Sequence, residues 1–121
     1  MSPEELDKTV TFARGFYSIL AEYVPGDTTV NELRILTELA RTSQKTEQVT
    51  SVSDISEATG IPRATVSRLI TKWLAMGRVV ESPHPEDGRR HILHLTDDSI
   101  TFRLQWAAAL QRLVDEHVKK S

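Results

Sequence analysis

The sequence contains no cysteine, and this absence removes several classes of chemistry together. A chain without thiols forms no disulfide, iron–sulfur cluster or thiolate zinc site, and it has neither a cysteine nucleophile nor a cysteine redox sensor. Long hydrophobic runs are also absent, since none approaches the roughly 18–20 apolar residues of a membrane span. The acidic N-terminus lacks the apolar core of a signal peptide. We therefore expect a cytoplasmic protein with no membrane partner.

Aromatic residues are few, at 6%, and there is no large excess of charge of either sign. The 121 residues carry a formal net charge of −2, which is typical of one soluble globular domain. The charge is nevertheless uneven. Residues 1–50 have 5 basic and 8 acidic side chains (−3), whereas residues 51–96 have 6 basic and 5 acidic ones (+1). Residues 58–80 contain four cations and no acid, so an acidic chain can still present one local basic face.

Sequence signatures of catalysis are missing as well. The chain has neither the G-x-x-x-x-G-K-[ST] nor the G-x-G-x-x-G loop that holds nucleotide phosphates, and no serine or threonine lies in a recognisable nucleophile pattern. Of the four histidines, His91 and His94 are three residues apart, which on a strand places them on opposite faces. We expect no metal site, no cofactor and no enzymatic activity.

Capping residues and apolar periodicity predict a mainly helical chain with one small β-hairpin. Helix starts are predicted near Ser2, Thr29, Ser51, Pro62 and Thr96. Helix ends are predicted at Pro25, Gly60 and Gly77, with a polar loop over residues 42–48 and a last helix reaching about Val118. Residues 79–82 and 91–96 are predicted to pair as antiparallel strands across a polar loop. A strand near residues 48–50 is too short to predict.

This order of elements is that of a winged helix-turn-helix, in which a tight turn lets the second helix of the motif enter the DNA major groove. The turn is Gly60-Ile61-Pro62. The helix after it carries small hydroxyls and basic groups and no acid, as a base-reading surface requires. Each of these side chains taken singly fits a solvated helix face, and only the turn and hairpin together favour DNA contact. The predicted contacts are Arg63, Thr65, Ser67, Arg68 and Lys72.

The first and last helices are apolar over more than one face, which a single small domain cannot easily bury. We therefore expect them to pair across a two-fold axis in a homodimer. The chain is then one winged-helix domain, 1–121, with a dimerisation helix at 1–24, the winged helix-turn-helix at 29–96 and a C-terminal dimerisation helix at 97–121. The predicted dimerisation residues are Leu6, Val10, Tyr17, Leu20, Leu104, Trp106, Leu110 and Leu113.

Three local patterns carry a family resemblance. They are ATVSRLI in the predicted recognition helix, PEDGRR in the hairpin loop and LTDD at the start of the last helix. Together they make residues 29–98 resemble the MarR family of transcription regulators. The resemblance implies a DNA-binding homodimer, usually a repressor that reads a pseudopalindrome.

The resemblance also assigns roles in the wing, which is the hairpin formed by the two predicted strands and the polar loop between them. The family pattern D-x-R falls on Asp87 and Arg89. It implies that Arg89 enters the minor groove, where a narrow groove concentrates negative potential, and that Asp87 braces it. The neighbouring Arg90 is expected to contact phosphate or to be solvated. Many relatives release DNA when a small molecule binds, but nothing in this sequence marks a pocket for such an effector.

Two other functions stay open at this point. The acidic N-terminal half and the net charge of −2 fit a winged-helix interaction module that pairs with another regulator and binds no DNA specifically. The cations of the predicted recognition helix weigh against that alternative. A small metal-dependent enzyme is the third possibility, and it lacks a catalytic constellation.

Overall fold

A computed structural model describes residues 1–43, 50–83, 86 and 91–119. These residues form five helices and one hairpin: α1 (Pro3–Tyr23), α2 (Val30–Ser43), α3 (Val52–Thr59), α4 (Arg63–Ala75), β1 (Val79–Pro83), β2 (His91–Leu95) and α5 (Asp97–Lys119). The predicted fold class, mainly helical with a small β-hairpin in winged helix-turn-helix order, is confirmed. None of the helices within the described residues is long and apolar enough to cross a membrane.

The predicted capping residues start three of the helices. The Ser2 hydroxyl accepts a hydrogen bond from the Glu5 N–H at 3.2 Å, at the start of α1. The Ser51 hydroxyl accepts from the Asp54 N–H, and the Asp54 carboxylate accepts from the Ser51 N–H, which completes a capping box on α3. These contacts join residues only three apart in sequence, and for this reason the helix starts could be predicted from the sequence alone.

α2 ends later than the sequence predicts. Thr42 and Ser43 were expected in a loop but are helical. The Thr42 hydroxyl donates to the Glu38 carbonyl at 3.0 Å, so this polar side chain is satisfied by the helix itself and does not end it. The rest of that predicted loop, residues 44–48, lies outside the described residues.

The chain divides into two compact units, residues 29–101 and residues 1–28 with 102–121. The core of the 29–101 unit is built from one side of each of its helices and from both strands of the hairpin. Its largest fully buried side chain is Trp73 of α4, which is 2% exposed. The core residues are Ile35, Leu36, Leu39, Ile55, Ile61, Val66, Leu69, Ile70, Trp73, Val79, Leu93 and Leu95.

The hairpin pairs β1 with β2 antiparallel, in a register that runs from Val79 opposite Leu95 to Pro83 opposite His91. The Leu93 N–H also donates to the Thr50 carbonyl at 2.8 Å. This backbone hydrogen bond attaches the segment before α3 to the sheet. The segment lies where the sequence pattern was too short for a strand to be predicted.

In the other unit, α1 lies against the C-terminal part of α5. A Cβ built on Gly15 would be 2.6 Å from Cδ1 of Leu113, so the missing side chain permits the close approach of the two helices. The rings of Phe12 and His117 are 5.0 Å apart. None of the α1 residues is nevertheless fully buried within this chain.

Candidate nucleic-acid interface

The turn between α3 and α4 is closed by local hydrogen bonds. Gly60 has a φ of 75°, the left-handed conformation that glycine adopts at no steric cost, and its N–H donates to the Ser56 carbonyl at 2.8 Å. The Ser56 hydroxyl donates to the Ile61 carbonyl at 2.6 Å. These bonds fix where α4 leaves the turn, as the sequence predicted from Gly60 and Pro62.

A residue that sequence reasoning missed supports the same turn from outside. The guanidinium of Arg34, on α2, donates to the carbonyl of Thr59 in the last turn of α3. It also lies 3.4 Å from the Asn31 side-chain oxygen. A cation at a helix C-terminus is favourable because the last carbonyls carry partial negative charge. Nothing in the sequence near Arg34 indicates this contact, because its partner is 25 residues away.

α4 has one buried side and one exposed side. Val66, Leu69, Ile70 and Trp73 face the core. The opposite side is exposed and includes four of the five residues predicted to bind DNA on this helix: Arg63, Ser67, Arg68 and Lys72. Thr65 is only half-exposed. The helix contains no acid, so nothing on it repels a phosphate backbone.

The three cations of α4 differ in their surroundings. The guanidinium groups of Arg63 and Arg68 make no hydrogen bond or ion pair with any other residue that the structure describes. The Lys72 ammonium instead lies 3.1 Å from Oε1 of Glu32, on α2. The sequence indicates the cations but not this partner, which is 40 residues away.

Glu32 has two tasks. Its other oxygen, Oε2, accepts from the Thr29 N–H at 2.8 Å, and its own N–H donates to the Thr29 hydroxyl at 3.1 Å, which is the predicted capping box of α2. The Thr29 N–H and the nearby Lys72 ammonium hold the pKa of Glu32 below its usual value, although burial acts in the opposite direction. The carboxylate therefore remains charged and bridges the first turn of α2 to α4.

A groove of about 420 Å³ lies between α4, the start of α3 and the hairpin. Ser67 and Thr71 of α4 line one wall. On the hairpin wall, Nδ1 of His91 is 3.7 Å from a carboxylate oxygen of Glu81. The exposed side of α4 and the hairpin strands thus border one concave surface.

None of the three residues predicted to act in the wing falls within the part of the chain that the structure describes. Asp87, Arg89 and Arg90 lie outside the described residues, and so does His84. Glu86 is described and exposed. Over the described part of the chain, no three His, Asp or Glu side chains are grouped so that they could hold a metal ion.

The predicted dimerisation residues are unevenly exposed. Four of them are more than half exposed: Leu6 (54%), Val10 (58%), Tyr17 (66%) and Leu104 (59%). The other four, Leu20, Trp106, Leu110 and Leu113, are partly buried within the chain. The indole N–H of Trp106 is buried and, among the described residues, has no hydrogen-bond partner.

Taken together, the three-helix core, the tight turn before an exposed cationic helix and the hairpin after it define a winged helix-turn-helix protein of the kind that binds DNA. The sequence profile of the MarR family matches residues 27–90, more than half of the chain. The chain belongs to the MarR family, and its fold is that of the family's transcription regulators. No curated protein matches its sequence.

Solved structures show the same fold over the whole chain at low identity. MepR of Staphylococcus aureus bound to ethidium bromide has a TM-score of 0.75 and 17% identity, and the match covers 100% of this chain and 84% of MepR. MarR of Escherichia coli gives 0.63 and 17%, covering 100% and 86%. PcaV of Streptomyces coelicolor, in complex with its natural ligand, gives 0.59 and 21%, covering 100% and 81%.

Proposed function

We propose that this protein is a sequence-specific, DNA-binding transcription regulator, a dimeric repressor that reads a pseudopalindrome and is not an enzyme. One observation carries the proposal: the exposed side of α4 presents Arg63 and Arg68, without partners among the described residues, and no acid. Guanidinium groups bind guanine edges or phosphates, and hydroxyls such as Ser67 bind either kind of acceptor.

In this proposal α4 lies in the major groove and the wing lies in the adjacent minor groove. Thr65 and Lys72 border the reading surface, Arg89 enters the minor groove with Asp87 as its brace, and Arg90 contacts phosphate. The wing roles rest on the family pattern, and the helix roles rest on exposure and charge as well.

The exposed apolar side chains of the unit formed by residues 1–28 and 102–121 support a homodimer. Leu6, Val10, Tyr17 and Leu104 are each more than half exposed, although large apolar side chains stabilise a protein when they are buried. A two-fold dimer would bury them and set two recognition helices on half-sites one helical turn apart, about 34–36 Å.

A small-molecule effector forms the second part of the proposal. Solved structures of MepR and PcaV hold ethidium and a natural ligand respectively. We extend to this chain only the general idea that a small molecule changes its affinity for DNA.

Selection of a random duplex library on the purified protein, at two salt concentrations, tests the DNA-binding function. We expect enrichment of a pseudopalindrome and an affinity that falls steeply with salt, because cations that bind phosphates release counterions. The alternative function, a module that pairs with another regulator, predicts no enrichment and weak binding that vanishes at the higher salt.

Arginine variants then test the interface on the selected duplex. Arg68→Ala should lower specific affinity about 5- to 150-fold, since one good bidentate base contact is worth about 1–3 kcal/mol. Arg41→Ala is the matched control, because Arg41 lies on α2 and is paired with Glu38. Unchanged specific binding of Arg68→Ala would show that α4 is not the reading helix.

A further inference from the structure

The ion pair between Glu32 and Lys72 joins the helix proposed to read DNA to a different helix of the same unit. The Glu32 side chain is only 11% exposed, whereas that of Lys72 is 52% exposed. The carboxylate also accepts a hydrogen bond at its other oxygen from the Thr29 N–H, which anchors it to the first turn of α2 independently of the lysine. The ammonium therefore has a fixed anionic partner before any DNA arrives.

We propose that Glu32 is a positioning residue of the DNA-binding surface: it holds Lys72 against the first turn of α2, so that Lys72 braces α4 and is not one of the cations that neutralise DNA phosphates. The proposal rests on the function proposed above. Of the three cations of α4, Arg63 and Arg68 then bind DNA, whereas Lys72 orients the helix.

The physical reason is competition between two anions for one ammonium. A phosphate would have to draw Lys72 away from a carboxylate that is largely shielded from water, and the separated Glu32 would keep its charge with less solvent around it. Arg63 and Arg68 face no such cost, because neither is paired with another described residue. Lys72 is also one helical turn after Arg68, and the nearby carboxylate offsets the repulsion between these two cations.

Two substitutions separate bracing from phosphate binding. Glu32→Gln keeps an acceptor for the α2 capping box but removes the charge that holds Lys72. Lys72→Met keeps the apolar stem and removes the ammonium. Both variants, and the double variant, are compared with the unaltered protein on one selected duplex, by titrating affinity against salt after circular dichroism has verified the fold.

The readout is the slope of log affinity against log salt, which steepens by about 0.9 for each additional phosphate neutralised. We expect Lys72→Met to leave the slope unchanged. Glu32→Gln should steepen it by about 0.9, equivalent to roughly threefold more loss of affinity between 50 and 200 mM salt. The double variant should return to the original slope, because the gain acts through Lys72.

Glu38→Gln is the matched control, since Glu38 also pairs with a cation, Arg41, but along α2 and not with α4. It should leave the slope unchanged. The proposal is overturned if Lys72→Met alone flattens the slope by about 0.9, if Glu32→Gln does not change it, or if the double variant stays steep. Failure of the unaltered protein to bind any duplex is a different result, which overturns the proposed function itself.

Discussion

Replacing Tyr17 by glutamate tests the dimer proposal most directly. Tyr17 lies on α1 and is 66% exposed in the single chain. An aromatic side chain offers roughly 200 Å² of surface, so about 130 Å² remains to be buried, worth about 3 kcal/mol at 25 cal/mol per Å². A two-fold interface contains the residue twice, which gives an upper value of about 6 kcal/mol.

Ordering and desolvation costs reduce such area estimates, and a buried carboxylate adds a cost of its own. Even half of the upper value would raise the dimer dissociation constant more than 100-fold. Sedimentation equilibrium and light scattering at micromolar concentration should therefore show a dimer for the unaltered protein and a monomer for Tyr17→Glu.

The matched control is Val30→Glu, because Val30 is 71% exposed but lies on α2, in the 29–101 unit. It adds the same charge at an exposed apolar position and should leave the dimer intact. Two results would refute the reasoning: an unaltered dimer for Tyr17→Glu, or equal dissociation by both substitutions, which would put the interface elsewhere.

Three further predictions concern the 29–101 unit. Gly60→Ala should lower the free energy of unfolding by about 1 kcal/mol, because the left-handed φ of this position strains alanine. Gly60→Asn should lower it less, and equal urea midpoints for the two variants would exclude backbone strain as the cause. Trp73→Ala should cost about 3–5 kcal/mol in the same assay, and a loss below 1 kcal/mol would contradict its core position. Because the pKa of Glu32 is lowered in the folded state, its carboxylate stabilises the fold fully above about pH 4.5, and this stabilisation is lost as the pH falls further. The difference in free energy of unfolding between the unaltered protein and Glu32→Gln should therefore shrink below about pH 4.5. A difference that does not change with pH would disprove this prediction.

The elements that could be predicted from sequence are those specified by neighbouring residues. The helix starts at Ser2, Thr29 and Ser51 and the turn at Gly60 each depend on groups two to four residues apart, and the structure confirms all four. The hairpin follows from a change of apolar period. Such signals are local, so they survive without knowledge of the tertiary fold.

Predictions from the sequence were wrong, or could not be made, where a contact between distant residues or a side chain that fits both helix and loop determines the structure. Thr42 looks like a loop residue by composition, yet its hydroxyl bonds back to the helix. Thr50 joins the sheet through one hydrogen bond from Leu93, 43 residues later, which no local period could reveal. That α1 leaves apolar side chains exposed could be predicted from the sequence, because it has more apolar residues than one small domain can bury.

The proposed DNA-binding surface shows why a count of charged residues in the sequence misleads. Read locally, Glu32 is a capping residue and Lys72 is one cation of a basic helix, and both descriptions are correct. The fold brings the two together, so each charge offsets the other, while Arg63 and Arg68 keep no such partner among the described residues. In the proposed interface, the effective charge that α4 offers to a phosphate backbone is therefore set by packing against α2 as much as by the residues of α4, and the salt dependence of binding is the measurement that tests this.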